Sequence, residues 1–169
     1  VTNDGKLVWV IDAYTTSKYY PYSQKTTVNG QEINYIKNSV KVLVDAYDGT
    51  VKFYITDRTD PVIMAYNKAF PDVFMDIESE IPTEISEHFT YSEFLYNIQS
   101  EILKRYHNIE PDVLYRANDV WDIAKYGAGT NSSSEQTTQM TPYYAIIKTT
   151  DSDQTKLGLV LPYTIQGKQ

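Results

Sequence analysis

The sequence predicts an α+β fold, a mostly antiparallel sheet of about five strands with a central run of helices packed on it. Three observations carry this expectation. Strand-period segments open and close the chain, helix-period segments lie between them, and two of the strand pairs are joined by tight-turn dipeptides. At 169 residues the chain is expected to form one soluble domain over 1–169.

In Lys6–Tyr14, Leu7, Trp9, Ile11 and Ala13 alternate with Val8, Val10, Asp12 and Tyr14. Both faces are apolar in the middle, which predicts a central strand paired on both sides. A polar, tyrosine-rich stretch follows over Thr15–Lys25. Asn29-Gly30 is a preferred type I′ turn pair and predicts a small hairpin over Thr26–Glu32. Asp48-Gly49 likewise joins Ser39–Tyr47 to Thr50–Thr56 as a hairpin.

Helical signals then take over. Asp60 before Pro61 is an N-cap followed by a proline at the one position where its missing N–H costs nothing. Val62, Ile63, Tyr66, Ala69 and Phe70 then form the predicted inner face, and Pro71 ends the helix. A short helix is predicted after Pro82. The strongest helical pattern covers Tyr91–His107, with Phe94, Leu95, Ile98 and Ile102 facing the sheet. Thr90 with Glu93 reads as a capping box, and Phe89 with Phe94 as a hydrophobic staple. Pro111 and Asn118 open two further predicted helical turns, the second carrying Trp121. Residues 127–141 hold a single charge, Glu135, and no periodicity, so a mobile loop is expected there. Tyr143–Thr149 and Lys156–Tyr163 close the chain as a strand pair.

Composition narrows the function. The 41% hydrophobic content includes sixteen tyrosines, so amphipathic rings must supplement the aliphatic core. A net charge of −7 argues against a duplex nucleic-acid partner, which requires a basic face. The absence of cysteine removes zinc-thiolate sites, thiol nucleophiles and disulfides. No window approaches the ~18 apolar residues of a membrane span. No phosphate loop or serine elbow is present, and no cofactor is expected.

The blocks Gly5-Lys6-Leu7-Val8-Trp9-Val10-Ile11-Asp12-Ala13-Tyr14-Thr15-Thr16-Ser17 and Tyr20-Pro21-Tyr22-Ser23 resemble a stretch of the uncharacterised protein family 0182. So do Ile33–Val42, Val44–Val51, Asp60-Pro61-Val62-Ile63, Phe70-Pro71, Tyr106-His107, Pro142-Tyr143-Tyr144 and Leu161-Pro162-Tyr163, in that order. Two departures stand out: Thr141 occupies the place of a usual acid, and the loop Gly127–Gln139 is particular to this chain. The resemblance implies a soluble segment that follows the membrane spans of a bacterial multi-pass protein, on the outer side of the cell membrane. Val1 in place of an initiator methionine, and Gln169 closely following a strand, agree with a fragment. The implied partners are the remainder of the same polypeptide with its transmembrane helices, another subunit or an envelope component. The resemblance implies no catalytic residue.

Two side-chain groups are candidates for function. Tyr19, Tyr20, Tyr22 and Tyr35 gather in the first quarter among small polar residues, a composition suited to recognition, or to a core short of aliphatics. Val10-Ile11-Asp12-Ala13-Tyr14 echoes Leu43-Val44-Asp45-Ala46-Tyr47, so neighbouring strands would bring Asp12 and Asp45 together as the acid/base pair of a hydrolase acting on envelope polymers. Against this, either aspartate has a simpler role in organising the turn after its strand. His88 and His107 bracket the long helix, about 28 Å apart at 1.5 Å per residue, too far to share a metal. A non-catalytic interaction or assembly domain is therefore the leading expectation.

Overall fold

The computed structural model describes residues 1–76, 81–126, 138–148 and 155–166. The fold is α+β, and the chain divides into two compact units, Val1–Leu95 and Tyr96–Gln169, with the boundary inside the long helix.

The first unit is built on a four-stranded sheet in the order β1-β4-β5-β6. Its strands are β1 (Val8–Ser17), β4 (Tyr35–Asp45), β5 (Val51–Ile55) and β6 (Phe74–Asp76). The first three pair antiparallel, and β6 adds in parallel beside β5, a strand the sequence pattern does not announce. The small hairpin forms as predicted from β2 (Thr26–Val28) and β3 (Gln31–Ile33), with Asn29 and Gly30 both at positive φ as a type I′ turn requires. At the β4–β5 turn, Asp45 Oδ1 accepts the Tyr47 N–H at 2.8 Å, and Gly49 takes the left-handed conformation at φ 74.

β1 departs from expectation. It lies at the edge of the sheet, pairing with β4 alone, and Trp9 keeps 67% of its surface exposed. Its two-faced apolar pattern is that of a strand with two neighbours, and the second is missing among the described residues.

Helix α1 (Pro61–Ala69) sets Ile63 against Val40 and Ile55 to form the core of this unit, with Ala13, Val42, Phe53, Met64 and Phe74 around it. Ile63 is buried, whereas Tyr66, Ala69 and Phe70 are exposed, so the inner face is narrower than the periodicity predicts. The cap explains this. Asp60 is fully buried, and its carboxylate accepts from the Val62 N–H at 2.9 Å, Tyr35 OH at 2.6 Å, and Thr15 Oγ1 and Ser39 Oγ at 2.5 Å each. This pins the first turn of α1 to β1 and β4 and leaves the later turns further from the sheet.

A one-turn helix α2 (Thr83–Ser86) follows Pro82 as expected. The long helix α3 runs Glu93–Tyr106 rather than Tyr91–His107. Its cap is Ser92, not Thr90: the buried Ser92 hydroxyl accepts the Leu95 N–H at 3.2 Å and is held in place by Tyr14 OH. Phe94 packs edge-on against Tyr14 at 5.1 Å, while Phe89 lies under the Lys41 ammonium at 5.3 Å. Phe94, Leu95 and Ile98 are half-buried and Ile102 is exposed, so the face assigned from periodicity is shallower than predicted.

In the second unit the buried position of α3 is Ser100, whose carbonyl accepts from Tyr163 OH at 3.4 Å. Helix α4 (Pro111–Arg116) forms where Pro111 predicts it and ends on Ala117 at φ 51. Trp121 is not helical: it opens β7 (Trp121–Ile123), which pairs antiparallel with β10 (Tyr163–Ile165). Non-local pairing with Ile165 overrides the acidic first-turn pattern around Trp121, and Asp122 instead approaches Lys104 at 3.3 Å. The expected terminal pair is present as β8 (Tyr143–Lys148) and β9 (Thr155–Val160). Of the expected loop at 127–141, residues 127–137 lie outside the described residues. Thr138 and Met140 bond back to Tyr126 and Ala124. No helix among the described residues is long and apolar enough to cross a membrane.

The packing sets three expected outcomes. Asp60→Ala orphans three hydroxyls and an amide, and should cost ~3 kcal/mol or more in thermal or urea unfolding. Burial pushes the Asp60 carboxyl up, but the bonds from Ser39, Thr15, Tyr35 and the Val62 N–H outweigh it and leave the group below its ordinary value. A depressed native value stabilises above the unfolded carboxylate range of about 3.9, so the advantage over Asp60→Asn should shrink as pH falls below about 4. An advantage that grew on acidification would contradict this network. Ile98→Ala should cost about 1 kcal/mol, because the side chain is only half-buried; a loss of 3 kcal/mol would show a deeper contact.

Candidate functional site

The tyrosines resolve into two roles. Tyr35 is half-buried and structural: burial and its bond to the Asp60 carboxylate both push its phenol well above the ordinary range. Tyr19, Tyr20 and Tyr22 are exposed, and Tyr22 has no part of its ring sheltered. They sit on the loop that leaves β1 and returns to the β2–β3 hairpin.

That loop is held by Asn34. Asn34 Nδ2 donates to the carbonyls of Tyr20 at 2.7 Å and Ser23 at 3.3 Å, while its Oδ1 accepts the Tyr20 N–H at 3.0 Å. Ser23 Oγ donates to the Asn34 carbonyl at 2.9 Å. An asparagine between two strand-forming residues, Ile33 and Tyr35, was the available signal. Tyr20 also stacks on Tyr35 at 5.1 Å with 20° between the planes, so the loop is registered through Tyr35 to the Asp60 network. Tyr22 adopts φ 60, a conformation uncommon for a bulky side chain and costly by about 1–3 kcal/mol. A fully exposed ring held in a disfavoured backbone conformation is doing nothing for the core.

Beside the loop lies an open groove of about 450 Å³ lined by Thr16, Ser17, Lys18, Tyr19, Gln31, Glu32 and Ile33. Tyr19 forms an aromatic wall with the Lys18 ammonium at 5.3 Å from its centroid, and Thr16, Ser17, Gln31, Glu32 and Ile33 complete a lining whose surface is mainly apolar.

The aspartate pair is placed differently from the expectation. β1 and β4 are neighbours, but their register sets Asp12 opposite Lys41 and Asp45 opposite Val8. Four residues of strand therefore separate the two positions, about 13 Å, wider than the roughly 5–9.5 Å of a carboxyl pair acting on one bond. Asp12 is paired with the buried Lys41 ammonium and accepts from Asn38 Nδ2 at 2.9 Å. Asp45 orders its turn through the Tyr47 and Asp48 N–H groups.

The histidines stay apart in role as well. His88 Nδ1 contacts the Glu84 carbonyl at 2.7 Å. His107 lies flat on Trp121 at 3.7 Å, with Nδ1 at 3.1 Å from the Leu103 carbonyl and Nε2 at 3.2 Å from Asp119. Among the described residues no three His, Asp or Glu side chains gather as a metal site.

The geometry thus defines an α+β chain that displays an anchored aromatic loop at the end of an exposed edge strand. It belongs to the Uncharacterised protein family (UPF0182), which matches residues 1–169. Similar chains include a UPF0182 protein of Caldicellulosiruptor saccharolyticus, 42% identical over 97% of this chain and 17% of its own length. Another is from Desulfitobacterium hafniense, 44% identical over 97% of this chain and 16% of its own. A third, from Trichodesmium erythraeum, is 44% identical over 96% and 15%. The chain thus spans about one sixth of the length of these relatives. No solved structure matches it.

Tyr22→Gly should leave stability unchanged or raise it by up to about 1 kcal/mol, since glycine accepts positive φ without strain. Asn34→Ala should free the loop, with exchange of the Tyr20 amide accelerated at least about tenfold while the β4–β5 ladder stays protected. Ladder amides that exchanged equally fast would show that Asn34 holds the fold rather than the loop.

Proposed function

We propose that this chain is a non-catalytic interaction or assembly domain of a longer multi-pass membrane protein, exposed on the extracytoplasmic side of a bacterial cell membrane. The observation that carries the reading is the anchored loop presenting Tyr19, Tyr20 and Tyr22 to solvent. Tyrosine offers a large rigid contact area at low cost in conformational entropy, which suits docking. The family membership and the roughly sixfold greater length of the relatives support the reading: a protein of the relatives' length would offer the remainder of its own polypeptide as the partner. Another subunit or an envelope component is the alternative partner. The ties of Asp12 to Lys41 and of Asp45 to its own turn leave the hydrolase reading without an observation in its favour.

The combined Tyr19→Ser, Tyr20→Ser and Tyr22→Ser variant of the full-length protein should unfold within about 1 kcal/mol of the parent yet lose its native assembly on gel filtration in mild detergent. Collapse of stability would place the rings in the core and remove the reading. Location is tested separately. The chain has no cysteine, so Thr27→Cys, at an exposed position on β2, provides a unique label within it. A membrane-impermeant maleimide should label the variant in intact cells above the level of the parent; labelling only after lysis would reverse the assigned side.

A further inference from the structure

The edge of β1 is the surface least explained by this chain alone. Ala46 N–H donates to the Leu7 carbonyl at 3.2 Å. Alternation along the antiparallel ladder then turns the backbone groups of Leu7, Trp9 and Ile11 toward β4, and those of Val8, Val10 and Asp12 outward. That outer row of donors and acceptors has no strand partner among the described residues.

Free edges are ordinarily blunted by lysine, proline, short length or a bulge. β1 is ten residues long, carries no proline, and bulges only between Ala13 and Thr15, at the far end. Asp12 is the single charge between Leu7 and Ser17, and Lys41 neutralises it from within the sheet. The side chains add to the case. Trp9 and Ile11 share the sheet face of Ala13, Val40 and Val42, which α1 covers through Ile63 and Met64, yet both are at least half exposed. Val10, on the opposite face, is 43% exposed. The outward backbone groups of Val8, Val10 and Asp12 and the exposed side chains of Trp9, Val10 and Ile11 therefore lack cover together.

We propose that β1 is completed by strand addition, and that the added strand is an extended, uncharged, proline-free segment with apolar residues at alternate positions, supplied by the same polypeptide outside these 169 residues. Main-chain hydrogen bonds to Val8, Val10 and Asp12 would hold it, and its apolar side chains would cover Trp9 and Ile11. Two observations select this occupant. The relatives are about six times longer than this chain, and a tethered segment acts at an effective concentration of order millimolar without needing an encounter. A second copy would bring together two chains of net charge −7 each, which self-repulsion opposes. The inference deepens the interaction-domain reading by naming the chemistry of one partner.

The test is hydrogen exchange in the full-length protein. The outward amides of Val8, Val10 and Asp12 should exchange at least about 100-fold more slowly than those of the Asn29-Gly30 turn. Val10→Pro removes one outward N–H without touching the β4 ladder, since proline is tolerated on an edge. It should accelerate exchange at Val8 and Asp12 at least about tenfold while Trp9 and Ile11 stay protected. Val10→Lys provides a second block should the proline variant not fold. A benzophenone side chain placed at Trp9 should cross-link to a peptide of the same polypeptide outside these 169 residues. Outward amides exchanging as fast as the turn in the parent protein would overturn the proposal. So would a cross-link to another chain, or protection that rises with protein concentration. The Tyr19, Tyr20 and Tyr22 serine variant touches no β1 backbone group and should keep the protection, so the tyrosine reading and this one can fail separately.

Discussion

The first unit depends on one carboxylate. Asp60 gathers hydroxyls from β1 and β4 and an amide from α1 into a site with no solvent access, so two strands and a helix are fixed at a single point. A buried negative charge is tolerated only when its acceptor capacity is used, and here four donors use it. The consequence extends to the surface. Tyr35 spends its hydroxyl on Asp60 and offers its ring face to Tyr20, so the loop that displays Tyr19 and Tyr22 is registered to the core by hydrogen bond and stack in series.

A second polar pair has a different use. Lys41 and Asp12 face each other across β1 and β4, with the ammonium also over Phe89. Slipping β1 by one residue would move Asp12 to the opposite face of the sheet and strand Lys41 without its counter-charge. Both strands are rich in valine and isoleucine, which alone specify register poorly. The ion pair fixes it. Asp57 shows the same economy at the surface, where the Lys37 ammonium and the Thr59 hydroxyl hold it at about 2.

What was legible in the sequence was local. Asn29-Gly30, Asp48-Gly49 and Asp60-Pro61 each encode a backbone conformation within four residues, and each element they predict is present. Elements decided by distant partners were not legible. Trp121 is a strand because Ile165 pairs with it, and the long helix starts at Glu93 because Ser92 is clamped by Tyr14, seventy-eight positions away. β1 is the instructive case: its two-faced apolar pattern describes a strand with two neighbours, and one is present among the described residues. The tyrosines were found by composition, but Asn34, which decides where they point, works through backbone contacts that no periodicity reveals.

The position of β1 in the chain also has a kinetic side. The β2–β3 and β4–β5 hairpins close over a few residues, within roughly microseconds of their synthesis. β1 precedes both, and its partner is β4, so Trp9 and its neighbours leave the ribosome before residues 35–45 emerge to receive them. At roughly 5–20 residues per second that wait lasts several seconds. During it β1 is an unpaired ribbon with both edges open, its one charge, Asp12, still without Lys41. The length of that exposure is set by the order in which the strands are made.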